Sequence, residues 1–450
     1  MSATGRPERE CRSAPHEGIP AGRPATLSGW LAYLETLHPK AIAMGLERVR
    51  AVAARLGSEL HCPVITVAGT NGKGSTCAML ASVLRCGGYR VGLYTSPHLL
   101  RYNERMRLDG RAVDDDALVA AFNAVEDARL GTDPVPPLTQ FEFGTLAALW
   151  LFARAAPDAV ILEVGLGGRL DAVNIVDADV AVVTTVDLDH LDYLGPTRES
   201  IGREKAGIFR AGRPAVCGDA APPATLVEHA REIGAPLLQI GRDYGYVVEG
   251  TQWQYHGPGG RRFGLAFPAL RGAYQLANAA TVLAALGLLG DRLPLPAAAL
   301  RDGLLAVELP GRFQVLPGRP TLVLDVGHNP QAARALAAAL GTMGYHPRSL
   351  AVFGMLADKD IAGVVAALQR RIDRWHVATL PGPRGASAAT LRAALVAAGV
   401  AAQAIHEFDD VAAALAAAQG EADEADRIIV FGSFLTVAGA LVALRRGIPD

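Results

Sequence analysis

Three clusters along the chain combine glycines, cations and acids in ways that could handle phosphate. The first is Val67-Ala68-Gly69-Thr70-Asn71-Gly72-Lys73-Gly74-Ser75-Thr76, set between a strand pattern and a helix pattern. Glycines let the backbone approach phosphate oxygens, and the free N–H groups of a helix start face an anion. Lys73 adds a point charge, and the Ser75 hydroxyl can face magnesium or a phosphate. The run departs from G-x-x-x-x-G-K followed by Ser or Thr: Val67 stands at the first glycine position, and Gly74 separates Lys73 from Ser75. A glycine-rich turn with a surface lysine is the plainer alternative; the strand before and the helix after argue against it.

The second cluster, Ile161-Leu162-Glu163-Val164-Gly165-Leu166-Gly167-Gly168-Arg169-Leu170-Asp171, ends an apolar strand on an acid. Ligands of open α/β sheets bind at such strand ends, and magnesium needs only one or two carboxylates when phosphates supply its other ligands. Glu163 fits that role; a capping or salt-bridged carboxylate is the alternative. The third, Val186-Asp187-Leu188-Asp189-His190-Leu191-Asp192, places His190 among acids after another strand, which favours a metal or catalytic site. Downstream, Lys205 falls on a short helix, where the bare sequence reads an exposed salt-bridge partner.

Such clusters need a parallel sheet to converge. The chain alternates short β-branched runs with longer helical patterns, the signature of α/β layers. Strands are predicted at Val64 to Ala68, Arg90 to Tyr94, Ala159 to Val164 and Val180 to Val186, with helices over Asp115 to Leu130 and Glu142 to Arg154. Trp253 to Gly264, turning at Gly257-Pro258-Gly259-Gly260, predicts a hairpin appended to the main sheet. A second series follows, with strands at Thr321 to Val326, Leu350 to Gly354, Trp375 to Leu380 and Ile428 to Gly432. Two doubly wound α/β domains are expected, 27–309 and 310–450, the join lying where a helix ends at Leu309-Pro310-Gly311.

Length and composition bound the rest. At 450 residues, two domains are the default, and 50% hydrophobic with 20% charged residues is globular composition. A net charge of -2 gives no reason to expect nucleic acid or an anionic membrane as partner. The five cysteines, at 11, 62, 77, 86 and 217, form no C-x-x-C pair and read as small core residues in a reducing compartment. Residues 1–26 lack an apolar signal-peptide core and read as a disordered extension, and no stretch is apolar enough to span a membrane.

At this point the chain resembles the bacterial folylpolyglutamate synthase family, in particular its bifunctional dihydrofolate synthase members, which share the wider Mur ligase architecture. The resemblance runs from about Leu31 to Val442. It is carried by Gly45-Leu46-Glu47-Arg48-Val49, the 69–76 loop, Tyr94-Thr95-Ser96-Pro97-His98-Leu99 and Arg101-Tyr102-Asn103-Glu104-Arg105. Further pieces are Phe141-Glu142-Phe143-Gly144-Thr145, the Glu163 strand, Lys205-Ala206-Gly207-Ile208, Leu324-Asp325-Val326-Gly327-His328-Asn329-Pro330 and Phe431-Gly432-Ser433-Phe434. Lys40-Ala41-Ile42, Leu138-Thr139-Gln140-Phe141 and Gly168-Arg169-Leu170-Asp171 favour the bifunctional type.

The resemblance implies an N-terminal P-loop ATPase-like domain and a C-terminal Rossmann-like domain. It implies ATP-dependent addition of L-glutamate to dihydropteroate and to folates through an acyl phosphate, with ATP and two magnesium ions. Gly72, Lys73, Gly74 and Ser75 would hold the ATP phosphates, and Asn278, Arg312 and Asp325 match nucleotide-contacting positions. Ser96, Glu163 and His190 match metal ligands, and Lys205 matches a lysine that is carbamylated in the family and would then be a further, carboxylate-like metal ligand. Lys73, His190 and Lys205 would serve catalysis. Met44, Gly45, Leu46, Thr139, Leu170, Asp171 and Ala172 match the pterin pocket; His328 and Ser433 lie near the expected glutamate site. A cytoplasmic monomer acting on small molecules is expected. A folate-only enzyme is one alternative. A Mur-type ligase is another, although only about 65 residues precede the loop, short for a uridine-nucleotide domain. A non-enzymatic nucleotide switch is a third; the intact motif residues argue against it.

Overall fold

The computed structural model describes residues 23–40 and 42–446. Residues 1–22 of the expected extension, with Cys11, and Ala41 lie outside these. The last residues of that extension belong to the fold: Arg23 pairs with Asp127 at 2.6 Å, and Thr26 caps the helix Leu27–Thr36 by accepting the Gly29 N–H. A cap and an ion pair tie the chain down earlier than composition indicated.

The main sheet has eight strands, in the spatial order Arg111–Ala112, Met106–Leu108, Val91–Tyr94, Ala159–Glu163, Val64–Ala68, Val180–Val183, Ala215–Cys217 and Leu237–Gln239. From Val91–Tyr94 onward the pairings are parallel, and the four strands predicted from sequence occupy the centre. Their residues are all buried, as strands covered on both faces require. One face packs on the helices Asp115–Leu130 and Gln140–Ala155, the other on Lys73–Cys86 and Tyr274–Leu288.

The strand expected to reach Val186 stops at Val183. Thr184 and Thr185 leave the sheet because their hydroxyls donate to the Asn71 carbonyl, at 2.6 and 3.1 Å, and so sew the 69–76 loop to the neighbouring strand.

The hairpin forms, but it is not part of the main sheet. Gln252–His256 and Arg262–Ala266 join Gly245–Glu249 in a separate three-stranded antiparallel layer. Trp253 and Tyr255 are buried in the core of the helix Tyr274–Leu288, so the hairpin's apolar face is taken up by a helix rather than by a strand edge.

The last sheet has six strands, in the order Gln314–Leu316, Thr321–Asp325, Arg427–Phe431, Ser349–Phe353, Arg374–Ala378 and Ile405–Phe408, parallel except for the first. The helix expected to end at Leu309-Pro310-Gly311 ends at Leu305, and Gly311 turns the chain at φ +73. Of the four described cysteines, all free, only Cys77 and Cys217 are buried; Cys62 is half-buried and Cys86, at a helix end, is exposed. Among the described residues no helix is long and apolar enough to cross a membrane.

Candidate active site

Parallel sheets gather side chains at their carboxyl ends. The first sheet brings four such ends side by side: Ser96 follows Val91–Tyr94, Glu163 closes Ala159–Glu163, the 69–76 loop follows Val64–Ala68, and Asp187 to His190 follow Val180–Val183. The last sheet does the same with Asp325, Lys359, Pro381 to Arg384 and Ser433. The two sets face a common cleft of about 850 Å³.

The loop has the form the sequence indicated. Gly72 sits at φ +88 as N-cap of the helix Lys73–Cys86, and a Cβ there would come within 2.8 Å of Asn278 Oδ1. Glycine is therefore required for both conformation and room. Asn278 is held by Gln275 at 2.9 Å, and Gln275 donates to Ser75 Oγ at 3.2 Å, so the helix Tyr274–Leu288 props the loop from behind. The Lys73 ammonium rests on the Gly69 and Thr70 carbonyls at 3.0 and 3.3 Å. No acid lies within ion-pair distance of it among the described residues, although Glu163 feels its charge.

Glu163 is buried, and burial pushes its carboxyl above the ordinary range against the pull of Lys73 and the Ser96 N–H. Its Oε2 accepts the Ser96 N–H at 3.1 Å; its Oε1 has no hydrogen-bond partner among the described residues. A buried carboxylate with an unused oxygen suits a hard cation. His190 stands at φ 51, a costly conformation for a non-glycine residue, of the kind that clusters at functional sites. Burial, then the nearby lysines, lowers its pKa to about 4 against the pull of Asp189, so the imidazole keeps a lone pair. Its Nε2 faces the Lys359 ammonium at 3.4 Å, and a metal would have to displace that contact or use Nδ1. No three His, Cys, Asp or Glu side chains among the described residues make a ready metal cluster. The residues fit a mixed set of carboxylate, hydroxyl and imidazole completed by phosphate oxygens.

Lys205 departs most from its bare sequence reading. It is buried, lines the cleft, and its ammonium has no hydrogen bond or ion pair among the described residues. Burial, then repulsion from Lys73, lowers its pKa to about 7. The close approach behind this comes from two glycines: a Cβ at Gly168 would meet the Glu204 and Lys205 carbonyls at 2.9 and 3.0 Å, and one at Gly207 would lie 2.4 Å from Arg169 Cβ. The Arg169 N–H closes the contact on the Glu204 carbonyl at 2.9 Å.

Of the other residues singled out from sequence, Met44, Thr139, Leu170, Asp171, Ala172, Arg312, Asp325, His328 and Ser433 line the cleft. Gly45 and Leu46 do not. Gly45 donates its N–H to the Leu170 carbonyl at 3.4 Å, and Leu46 is buried at the N-cap of the helix Glu47–Leu56, so both support the wall from outside. Asp171 is raised to about 6 by burial and accepts the Leu166 and Val173 N–H groups, the part of a turn-former.

Sequence reasoning gave no role to Asp189, Lys359, Arg105 or His98. Lys359 crosses from the last sheet to Asp189 at 2.6 Å, with the two side chains only 8% and 13% exposed. Burial would raise the Asp189 carboxyl, but His190 and Lys359 together hold it well below the ordinary range. Asn71 exchanges amide hydrogen bonds with Asn329, both at 3.1 Å, and also bonds to Gln331. The Asp189-His190 step after a strand was the one available signal. Nothing in the sequence pointed to a lysine some 170 residues away.

Known proteins share much of this sequence and its fold. Residues 67–286 match the Mur ligase middle domain and residues 311–434 the Mur ligase glutamate ligase domain. The dihydrofolate synthase/folylpolyglutamate synthase of Escherichia coli K12 is 50% identical over 413 residues, covering 92% of this chain and 94% of that one. A structure of E. coli FolC with DHPP and ADP superposes with a TM-score of 0.88 at 48% identity, covering 94% of this chain and 98% of that one. A bifunctional folylpolyglutamate synthase/dihydrofolate synthase with Mn, AMPPNP and L-glutamate bound gives 0.86 at 47%, with the same coverage. Identity of this order along nearly the whole length, on a cleft built from the same two matched domains, leaves one conclusion: the chain belongs to the dihydrofolate synthase/folylpolyglutamate synthase family of Mur-type ligases.

Proposed function

We propose that this cleft attaches L-glutamate to dihydropteroate and to the γ-carboxyl of folates, using ATP and releasing ADP and phosphate. The observation that carries the reading is the meeting of two sheets' carboxyl ends: a phosphate loop and a buried acid on one side, the Asp325 and Ser433 motifs on the other. The division into an ATP-binding part, 27–309, and a glutamate-ligating part, 310–450, is supported by the separate sheets, with Arg23 to Thr26 added to the first.

Amide formation from a free carboxylate needs activation. An acceptor carboxylate oxygen bonds to the γ-phosphorus as the bond to the β-phosphate oxygen breaks. The neutral glutamate amine then attacks the acyl carbon, the C–O bond to phosphate breaks, and phosphate leaves as the nitrogen gives up a proton. Gly72 to Ser75 cradle the phosphates, and Lys73 offsets their charge. Arg312 and Asp325 hold the nucleotide from the linker side, with the Arg312 guanidinium 4.9 Å from the Phe434 ring centroid. Ser96, Glu163 and His190 would hold divalent metal, two ions in all, which when bound would offset charge on the transferring group. Met44, Thr139, Leu170 and Ala172 form the pterin wall; His328 and Ser433 border the glutamate site. Closure of the cleft keeps water from the activated acid. The chain acts as a cytoplasmic monomer on small molecules, without nucleic acid or membrane, in keeping with its net charge of -2.

The test is phosphate release with ATP, magnesium and glutamate, comparing dihydropteroate with tetrahydrofolate. Turnover with both is expected; turnover with tetrahydrofolate alone would leave only a polyglutamate extender.

Lys205 is carbamylated in the active protein: its amine adds carbon dioxide, releases one proton and becomes an anionic ligand. A neutral amine is required, and the lowered pKa of about 7 supplies it above that pH. Activity in carbon dioxide-depleted buffer at pH 8 is expected to fall and to return with bicarbonate; Lys205→Gln should be insensitive to either. The same shift sets a stability trend. Between pH 7 and the ordinary lysine value of 10.5 the unfolded chain binds the extra proton, so for the uncarbamylated protein this group makes stability rise with pH across that window.

A further inference from the structure

Arg105 lines the same cleft as Ser96, Glu163 and Lys73, and nothing above gives it work. It closes the short turn Tyr102–Arg105, and its carbonyl accepts the Thr95 N–H at 2.8 Å, fixing its backbone beside Ser96. Two contacts orient its guanidinium. Nε donates to His98 Nδ1 at 2.9 Å, and the group lies 5.0 Å from the Tyr102 ring centroid. Arg105 Nε can only donate, so His98 Nδ1 is the acceptor and the ring proton sits on Nε2.

The four terminal N–H groups of Arg105 have no hydrogen-bond partner among the described residues, and no acid lies within ion-pair distance. The acid next in sequence is already committed: Glu104 accepts the Leu99, Leu100 and Arg101 N–H groups, each at 2.8 Å. The result is a preoriented, unspent fork in a cleft, the geometry that suits a planar oxyanion. Phosphate already has Lys73 on the loop side. Arg105 instead enters from the aromatic wall, where the His98 ring lies 5.8 Å from that of Tyr102 and Tyr94 lies 6.0 Å from Phe141.

We infer that Arg105 binds the carboxylate of the pterin-bearing acceptor and presents it to the γ-phosphorus, with His98 as the residue that positions Arg105. This rests on the ligase reading above. The experiment measures binding of dihydropteroate, and of the same pterin–aniline molecule lacking the carboxylate, to ADP-loaded wild type and variants. For Arg105→Gln, the dihydropteroate Kd is expected to rise ~10²-fold, with the descarboxy analogue and ADP unchanged. Arg105→Lys should fall between. His98→Asn, which keeps an acceptor, should stay near wild type, while His98→Leu should lose ~10-fold for dihydropteroate alone. Equal weakening of both pterin ligands, loss of ADP affinity alone, or no change would each overturn the inference. Wild-type turnover, run alongside, separates this from the parent reading: no turnover with any folate-type acceptor would sink the ligase assignment whatever Arg105 does.

Discussion

Replacing Glu163 by glutamine is expected to lower turnover by about 10³-fold while leaving the protein as stable as wild type or slightly more so. Both halves follow from one fact. Burial raises the Glu163 carboxyl, so the fold carries a desolvated charge that its neighbours only partly offset. Glutamine keeps the shape and can still accept the Ser96 N–H, which lies 3.1 Å from Oε2. It removes the charge that a divalent cation needs. Loss of one well-placed electrostatic group in a closed site costs about 10²–10³ in rate, and loss of the buried acid proposed to hold the metal belongs at the top of that range. The check is Mn²⁺ binding by electron paramagnetic resonance with AMPPNP present, alongside a thermal melt. Wild-type manganese affinity in the variant would assign Glu163 to structure instead.

Lys359→Met is expected to reduce kcat/KM by about 10²-fold. Removing one partner of a pair this well shielded leaves the other uncompensated, at a cost of about 3 kcal/mol. The pair joins side chains only 8% and 13% exposed, so solvent screening is modest. Asp189 then keeps its charge between His190 and His328, with the nearest strong cation gone. Asp189→Asn should fail comparably. The double variant should be little worse than either single one, because each change removes the same cross-cleft contact. Strictly additive losses, read from the full double-mutant cycle, would mean that the two residues do not act through each other. Small-angle scattering of the nucleotide-bound single variants should show a larger radius of gyration, the mark of a cleft that no longer stays closed.

How far the sequence foretold this site depends on how local each feature is. The phosphate loop was legible because strand, Gly72, Lys73 and helix are contiguous, and each has a local cause. Glu163 was legible because an apolar run ending on an acid already places that acid at a sheet's carboxyl end. Lys205 was misread from the residues alone because its burial depends on Gly168 and Gly207 bringing two segments into contact, a fact about packing rather than pattern. Lys359 was invisible because its partner belongs to a different sheet. The strands Ala215–Cys217 and Leu237–Gln239 are too short to stand out from their surroundings, and Ile405–Phe408 carries His406 and Glu407 at an exposed edge, so its apolar signal is broken. The hairpin was predicted correctly as a hairpin and attached to the wrong layer, since a turn sequence says nothing about which face will cover it.

The bonds from Asn71 to Asn329 and Gln331 have a thermodynamic consequence. Asn71 lies inside the 69–76 loop, so the loop proposed to grip the nucleotide is also a handle on the other sheet. Two equilibria that share a residue are reciprocal: whatever closure adds to nucleotide affinity, nucleotide adds to closure by the same factor. Product departure then favours opening, and opening favours product departure, by that same factor. A substitution such as Asn71→Ala would loosen both together, and the enzyme would exchange ADP faster while completing fewer amide bonds per ATP spent.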